Sequence, residues 1–203
     1  MTGGTPYARV RQADDADRQA VLDVLTEAFM DDPVVCWLFS APGERRRLQS
    51  LFYGDLLDRA TAEAYLVDRD EGASVWLALA AGQAPDDERP DTPDVDRNPV
   101  FGGNGARLLA LGQALGDRHP RREPHLYLAC MGVVGGRQGA GLGSTMLRHR
   151  LERADADRLA VYLEASSPRS RALDLRYGFE DLGEPVRVAD SPLLWPMWRH
   201  PRR

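Results

Sequence analysis

Residues 126–145 read LYLACMGVVGGRQGAGLGST, and what this stretch becomes decides the fold. Its first half, through Val134, is apolar and rich in β-formers, which predicts a buried strand. It stops at a loop with glycine at 135, 136, 139, 141 and 143, after which Met146, Leu147 and Leu151 recur at helical spacing. Strand, glycine loop and helix together make an anion site. The first N–H groups of a helix have no intrahelical partner, and the helix dipole places partial positive charge there. Phosphates are the usual guests, and glycine lets the backbone approach them closely.

Spacing separates three glycine-loop chemistries. A P-loop needs Lys followed by Ser or Thr after its last glycine, whereas Gly143 is followed by Ser144 and Thr145. A dinucleotide fingerprint started at Gly139 and Gly141 would put its third glycine at 144, which is Ser, and no second βαβ half follows. A nicotinamide oxidoreductase is therefore the third-ranked reading. What remains is Gln138-x-x-Gly141-x-Gly143. A plain tight turn would not need so many glycines in this context.

At 203 residues the chain suits one domain spanning 1–203. The composition, 43% hydrophobic and 28% charged, is that of a globular protein, and no apolar run reaches the ~18 residues of a membrane helix. The start lacks the regions of a signal peptide, so a cytoplasmic location without membrane association is expected. A net charge of −5 argues against nucleic acid as a partner and mildly favours cationic substrates. The four histidines show no ligand spacing, so no metal is expected. Cys36 and Cys130 are too few for a disulfide framework, and Cys130 falls inside the strand pattern, as a buried thiol does.

In chain order, Tyr7–Arg11 alternates as a first strand, and Asp14 or Asp15 caps a helix running to about Met30 with Val21, Leu22, Leu25, Ala28 and Phe29 on one stripe. Asp31-Asp32-Pro33 breaks it. Val34–Phe39, with Trp37, is either core or a wall of an acceptor pocket. Gly43–Ala60 reads as a helix with Leu48, Leu51, Phe52, Leu56 and Leu57 inward. Ala64–Asp68 and Ser74–Ala80 form a hairpin. Residues 82–105 are Pro- and acid-rich, long enough for a gating loop or for plain disorder. A third helix carries Leu108, Leu111 and Leu115. Beyond the glycine loop come a helix from Leu142, a strand at Leu159–Glu164, a short helix opening at Pro168 and closed by Gly178, and strands at Phe179–Val188 and Leu193–Trp198. The order makes a mixed α/β domain.

With LYLACMGVVGGRQGAGLGST, LEASSPRS, YGFE and LLWPMWR in this order, the chain resembles the GNAT superfamily of acyl-CoA-dependent N-acetyltransferases over nearly its whole length, and looks closest to the puromycin N-acetyltransferase type. The resemblance implies a mostly antiparallel sheet of six to seven strands, helices on both faces, and strands 4 and 5 splayed to admit pantetheine. It implies that Met131, Gly132, Val133 and Val134 face the pantetheine of acetyl-CoA. Gln138, Gly139, Ala140, Gly141, Leu142, Gly143 and Ser144 would hold the pyrophosphate. Arg137 and Arg169 would either meet the adenosine phosphates or lie in solvent.

The pattern departs from the family in the last helix. The family commonly has a tyrosine four residues before the Gly of its Gly-Phe pair, as general acid toward the thiolate, and here that residue is Asp174; Ser170 stands at the family's Asn position. Tyr177, three residues on and on roughly the same face, is the nearby phenol. Either takes over the acid, or the chain is a non-catalytic acyl-CoA-binding module. Glu164 is the candidate base or amine anchor, or else a surface carboxylate; Phe29, Asp31 and Trp37 are candidate acceptor contacts. With neither cysteine in a nucleophile setting, direct transfer to a primary amine of a small molecule such as an antibiotic is expected, as in resistance enzymes, by a monomer or homodimer. Acetylation of a protein Lys or N-terminus is the alternative.

Overall fold

The computed structural model describes residues 8–85 and 100–202. In chain order these hold β1 (Val10–Gln12), α1 (Arg18–Ala28), α2 (Pro33–Leu38), α3 (Pro42–Leu57), β2 (Ala62–Val67), β3 (Gly72–Leu79), α4 (Gly105–Gly116), β4 (His125–Val133), α5 (Leu142–Ala156), β5 (Ala160–Ala165), α6 (Pro168–Arg176), β6 (Glu180–Asp181) and β7 (Trp195–Arg199). One seven-stranded sheet runs β1-β2-β3-β4-β5-β7-β6. Every neighbour is antiparallel except β4 and β5, whose connection is the glycine loop and α5. This is the mixed α/β architecture expected, with seven strands.

The sheet is covered on both faces because its strands alternate. Leu126, Leu128, Val161 and Leu163 pack with Leu147, Leu151 and Ala154 of α5 and with Phe179. Leu66, Val75 and Leu77 face the other way, onto Val21, Leu25 and Tyr53 of α1 and α3. A smaller cluster joins α2, α3 and α4 through Val35, Phe39, Leu48 and Leu111. Among the described residues no helix is long and apolar enough to cross a membrane.

Some expected elements differ. Asp14 caps a 3-10 turn at Asp15–Asp17, and α1 proper begins at Arg18. The apolar Val34–Phe39 segment is helical, because the Asp32 side chain accepts the N–H groups of Val34 and Val35 and Pro33 fits the first helical turn. In α3 Leu51 points outward and Tyr53 is buried in its stead. The strand expected over Phe179–Val188 shrinks to Glu180–Asp181 and one bridge from Val186 to Leu194, since Gly183 turns the chain at φ +80° and Pro185 removes a ladder donor. Residues 86–99, most of the segment read as a gating loop, lie outside the described residues.

Candidate active site

The two parallel strands part company early. β4 pairs with β5 only from His125 to Leu128, opposite Ala160 to Leu163, while β4 itself continues to Val133. The break coincides with a bulge. On the β3 side Val75 opposes Cys130 and Trp76 opposes Leu128, so Ala129 is the extra residue. Such an insertion bends a strand and sharpens its twist, which turns residues 129–133 away from β5 and leaves their edge without a strand partner among the described residues. Gly132 is required there. A Cβ would stand 2.6 Å from the Ala28 side chain and 2.9 Å from the Phe29 ring, so α1 lies directly over the diverging strand and Phe29 borders the gap.

The gap opens onto the glycine loop. After a 3-10 turn at Gly135–Arg137 the chain takes left-handed geometry at Gly139 (φ +88°) and Gly141 (φ +84°), then enters α5. The first helical bond runs from Thr145 N–H to the Gly141 carbonyl at 3.0 Å. Among the described residues the amides of Gly139, Gly141, Leu142, Gly143 and Ser144 make no hydrogen bond. Five free donors at the positive end of a fifteen-residue helix form an anion cradle. Gln138 closes one side: its Nε2 donates to the Val133 carbonyl at 3.3 Å, and its Oε1 accepts from Arg169 at 3.3 Å. Arg169 thereby ties the start of α6 to the end of β4. Arg137 faces the other way, paired with Glu71 of the β2–β3 hairpin at 2.8 Å. The Ser170 hydroxyl is engaged in a capping box with Ser167.

Glu164 stands just past the last paired rung. β5 alternates, placing Tyr162 and Glu164 on the α1–α3 face, opposite Leu163 and Ala165. Tyr127 donates its hydroxyl to Glu164 Oε2 at 2.8 Å. Burial raises the Glu164 carboxyl from its ordinary value to about 7, against the lowering influence of the Tyr127 and Tyr162 phenols. Among the described residues no cation pairs with it. The buried Tyr162 hydroxyl has no hydrogen-bond partner of good geometry among them, although it lies near enough to Glu164 for the carboxylate to disfavour its ionisation. Beneath these phenols His119 and His125 share a contact of 2.9 Å between their Nε2 atoms. The Glu123 carbonyl 3.0 Å from His125 Nδ1 can only accept, so His125 carries its proton on Nδ1 and takes the His119 proton at Nε2.

Other expected site residues lie apart. Asp31 is exposed. Its neighbour Asp32, besides capping α2, accepts the Ser166 hydroxyl at 3.1 Å, linking the α1–α2 turn to the end of β5. Trp37 donates Nε1–H to Asp190 at 2.8 Å beneath the Arg107 guanidinium. The Cys130 thiol is pushed up to about 12 by burial, which suits packing and not nucleophilic attack. Among the described residues no group of His, Cys, Asp and Glu is arranged to hold a metal ion.

On the opposite face, α6 packs over β5 and the first turn of α5. Leu173 approaches Gly143, and the Tyr177 hydroxyl is engaged by Ser144 and Arg148. Burial alone would raise that phenol, but these two partners lower it. Asp174, next to Leu173 in sequence, is 3% exposed and has a carboxyl without hydrogen bond or ion pair among the described residues. Burial raises it to about 7, with Arg176 opposing. Sequence reading missed Tyr127 and Tyr162; the period-two alternation of β5 was the available signal for Tyr162.

Solved structures share this overall fold. A structure described as histone acetyltransferase HPA2 and related acetyltransferase, from Corynebacterium glutamicum, is 28% identical over 97% of this chain and 98% of its own, with a TM-score of 0.70. Arylalkylamine N-acetyltransferase 2 from Aedes aegypti matches with 13% identity over 96% and 99% of the two chains and a TM-score of 0.67. A GCN5-related N-acetyltransferase from Rhodopseudomonas palustris matches with 9% identity over 98% and 99%, at a TM-score of 0.56. The chain has the GNAT fold. No family model matches the sequence. The overall fold is thus what this chain has in common with these acetyltransferases; the strand gap, the free loop amides and the carboxyl at Asp174 are read from this chain alone.

Proposed function

We propose that this protein transfers an acetyl group from acetyl-CoA directly to a primary amine of a small molecule. The carrying observation is the edge of β4, unpaired among the described residues, that runs from Ala129, beside Glu164, to the free amides of Gly139 and of residues 141–144. The residues fit the donor. The loop amides suit a pyrophosphate, the open strand edge suits the amides of pantetheine, and Gln138 with Arg169 closes the side of the cradle. Acetyl-CoA, when bound, supplies an acyl group activated as a thioester.

The chain's own groups do the rest. An amine reaches the gap as ammonium and must lose its proton before it attacks. Glu164, near 7 and without a cation partner among the described residues, is matched to that task at neutral pH. An edge N–H of residues 129–133 offers a hydrogen bond to the developing oxyanion. Holding amine and acyl carbon together supplies the larger share, about 7–11 kcal/mol for well-oriented reactants. The net charge of −5 favours a cationic acceptor, and a half-buried Glu164 suits a single slender amine better than a folded protein surface. An antibiotic amine of the puromycin type is one such acceptor.

The test is full-length protein with acetyl-CoA and a panel of arylalkylamines, aminonucleosides, polyamines and a lysine peptide, read by thiol release. All 26 cationic side chains are arginine, so lysine self-acetylation adds no background. Turnover on small amines supports the proposal. Turnover on the peptide alone replaces it with protein acetylation, and saturable acetyl-CoA binding without turnover replaces it with a binding module.

A further inference from the structure

The turn between α1 and α2 reaches across the gap. On one side Ala28 and Phe29 lie against Gly132 in the diverging part of β4. On the other, Asp32 Oδ2 accepts the hydroxyl of Ser166, the first residue past β5, at 3.1 Å. The Asp32 N–H donates to the Phe29 carbonyl at 3.1 Å, so its carboxyl belongs to the same turn as the ring that borders the gap. Asp32 and Cys130 of β4 both lie near enough to the buried Tyr53 phenol to disfavour its ionisation. The carboxyl therefore sits on the α1–α3 face between the two strand ends. Glu164 opens onto that face two residues before Ser166, about 7 Å along the strand.

Neither carboxyl has a counter-charge. Asp32 Oδ1 takes the Val34 and Val35 amides, but Oδ2 holds only the Ser166 hydroxyl, and a carboxylate oxygen has room for two donors. Elsewhere Asp17, Asp155 and Asp181 each hold an arginine. Asp32 and Glu164, both half-buried, have no cation beside them among the described residues. Beside Glu164 the fully buried Tyr162 hydroxyl has no hydrogen-bond partner of good geometry among those residues, which leaves it a lone pair for an incoming N–H. A carboxylate withdrawn from water without a counter-charge is costly to a fold, and a cation that arrives with the substrate removes that cost.

We propose that Asp32 anchors a second ammonium group of the acceptor, so that the substrate class is an aliphatic diamine or polyamine. This rests on the transferase reading and names the acceptor for it. The attacking nitrogen gives its proton to Glu164. The second nitrogen keeps its proton and donates to the open lone pair of Asp32 Oδ2. Two strand residues and one hydrogen bond separate the two carboxyls, a span that a short alkyl chain bridges, and the Phe29 ring offers its methylenes an apolar wall. Burial raises the Asp32 carboxyl above its ordinary value, against three hydrogen bonds that lower it. An arriving ammonium favours the charged form and completes the pair.

The experiment compares cadaverine, an alkyl chain with an amine at each end, with pentylamine, the same chain with one, on wild type and on D32N. Asparagine caps a helix as well as aspartate does, and its amide oxygen still accepts from Ser166, so the variant loses the charge and keeps the fold. Wild type should favour cadaverine by about 10–100-fold in kcat/KM, the worth of a hydrogen bond between charged groups, nearly all of it in KM. In D32N that preference should fall to near parity. Calorimetry of cadaverine binding in the presence of coenzyme A gives a readout without turnover, an affinity that D32N weakens by the same factor. A wild type indifferent to the second amine, or a D32N that keeps the preference, overturns the anchor while the transferase reading stands. Equal losses on both amines reduce Asp32 to a helix cap and overturn it as well. Cadaverine that binds wild type more tightly than D32N and is never acetylated supports the anchor and overturns the transferase reading.

Discussion

Tyr127 and Glu164 meet diagonally across the last paired rungs of β4 and β5: Tyr127 is opposite Tyr162, and its hydroxyl reaches two residues further, to Glu164 Oε2 at 2.8 Å. The bond belongs to the place where the strands stop pairing, so the structure that opens the gap also fixes the carboxylate at its base. Tyr127 favours the charged form, and burial disfavours it more strongly.

Removing that donor therefore has a definite sign. In Tyr127→Phe the Glu164 carboxylate loses a hydrogen bond to a charged group, about 1.5–3 kcal/mol, and its protonated form persists to higher pH. The acidic limb of the kcat/KM profile, set near 7 in wild type, should move upward by about one pH unit, with the plateau little changed. In Glu164→Gln the limb should vanish and kcat fall by about 10²-fold. A profile unmoved in Tyr127→Phe would show that Glu164 is not the base.

The same group links stability to pH. Its folded value is raised from 4.5 to about 7, so the native state holds the proton more tightly than the unfolded chain. The stability this confers is complete below about pH 4.5 and is lost as pH rises through 7. Glu164→Gln should thus gain in melting temperature relative to wild type as the pH goes from 5 to 8. Calorimetry across that range checks the sign.

Gly141 isolates backbone geometry from sterics. It sits at φ +84° with nothing within 4 Å of the place a Cβ would take, so Gly141→Ala meets strain in the left-handed region, roughly 1–2 kcal/mol, and no clash. Relaxing that strain swings the free amides of the loop. Binding of acetyl-CoA by calorimetry should weaken about tenfold with kcat at saturation nearly unchanged. A fall in kcat at unchanged affinity would mean that the loop does not hold the donor.

Gly132 is the opposite case. Here an added Cβ would meet Ala28 at 2.6 Å and the Phe29 ring at 2.9 Å, and α1 must lift from β4. Overpacking of this kind destabilises by about 1–3 kcal/mol, roughly 2–10 °C in melting temperature for a domain of this size. Because Phe29 borders the gap, the acceptor KM should rise alongside. An unchanged melting temperature would place α1 elsewhere.

Much of this was legible beforehand, for identifiable reasons. Periodicity exposed β4, α5 and β5, and the glycines at 139 and 141 do adopt the positive φ that a phosphate loop needs. The helix at Pro33–Leu38 was not read: Asp32-Pro33 is an N-cap followed by Pro, but a short apolar run hides its period. Contacts set by tertiary register were not legible either. Tyr127 meets Glu164 only because β4 and β5 align Tyr127 with Tyr162, and Tyr177 is engaged by Ser144 thirty-three positions earlier. The isolation of Asp174 is a property of what surrounds it, which no spacing encodes.

The far edge of the sheet carries a last prediction. Arg199 is 3% exposed at the end of β7, and both Nη atoms donate to the Asp155 carboxylate at 2.7 Å. Its Nε donates to the Tyr177 carbonyl at 3.0 Å, which ties β7 and α5 to the end of α6. The hydrogen bonds from Arg199 hold the Asp155 carboxyl below its ordinary value of 3.8. Its contribution is therefore present above that pH and lost as pH falls through the lower folded value. Asp155→Asn leaves a buried guanidinium without its counter-charge, which costs about 3–5 kcal/mol when one partner of such a pair is removed. The variant should melt well below wild type at pH 7, with the gap narrowing toward acid pH, where wild type has lost the same charge. Loop-directed binding of acetyl-CoA should be retained, since the free amides lie at the other end of α5. A variant equally stable at pH 7 would mean that the pair is solvent-screened and holds neither β7 nor α6 in place.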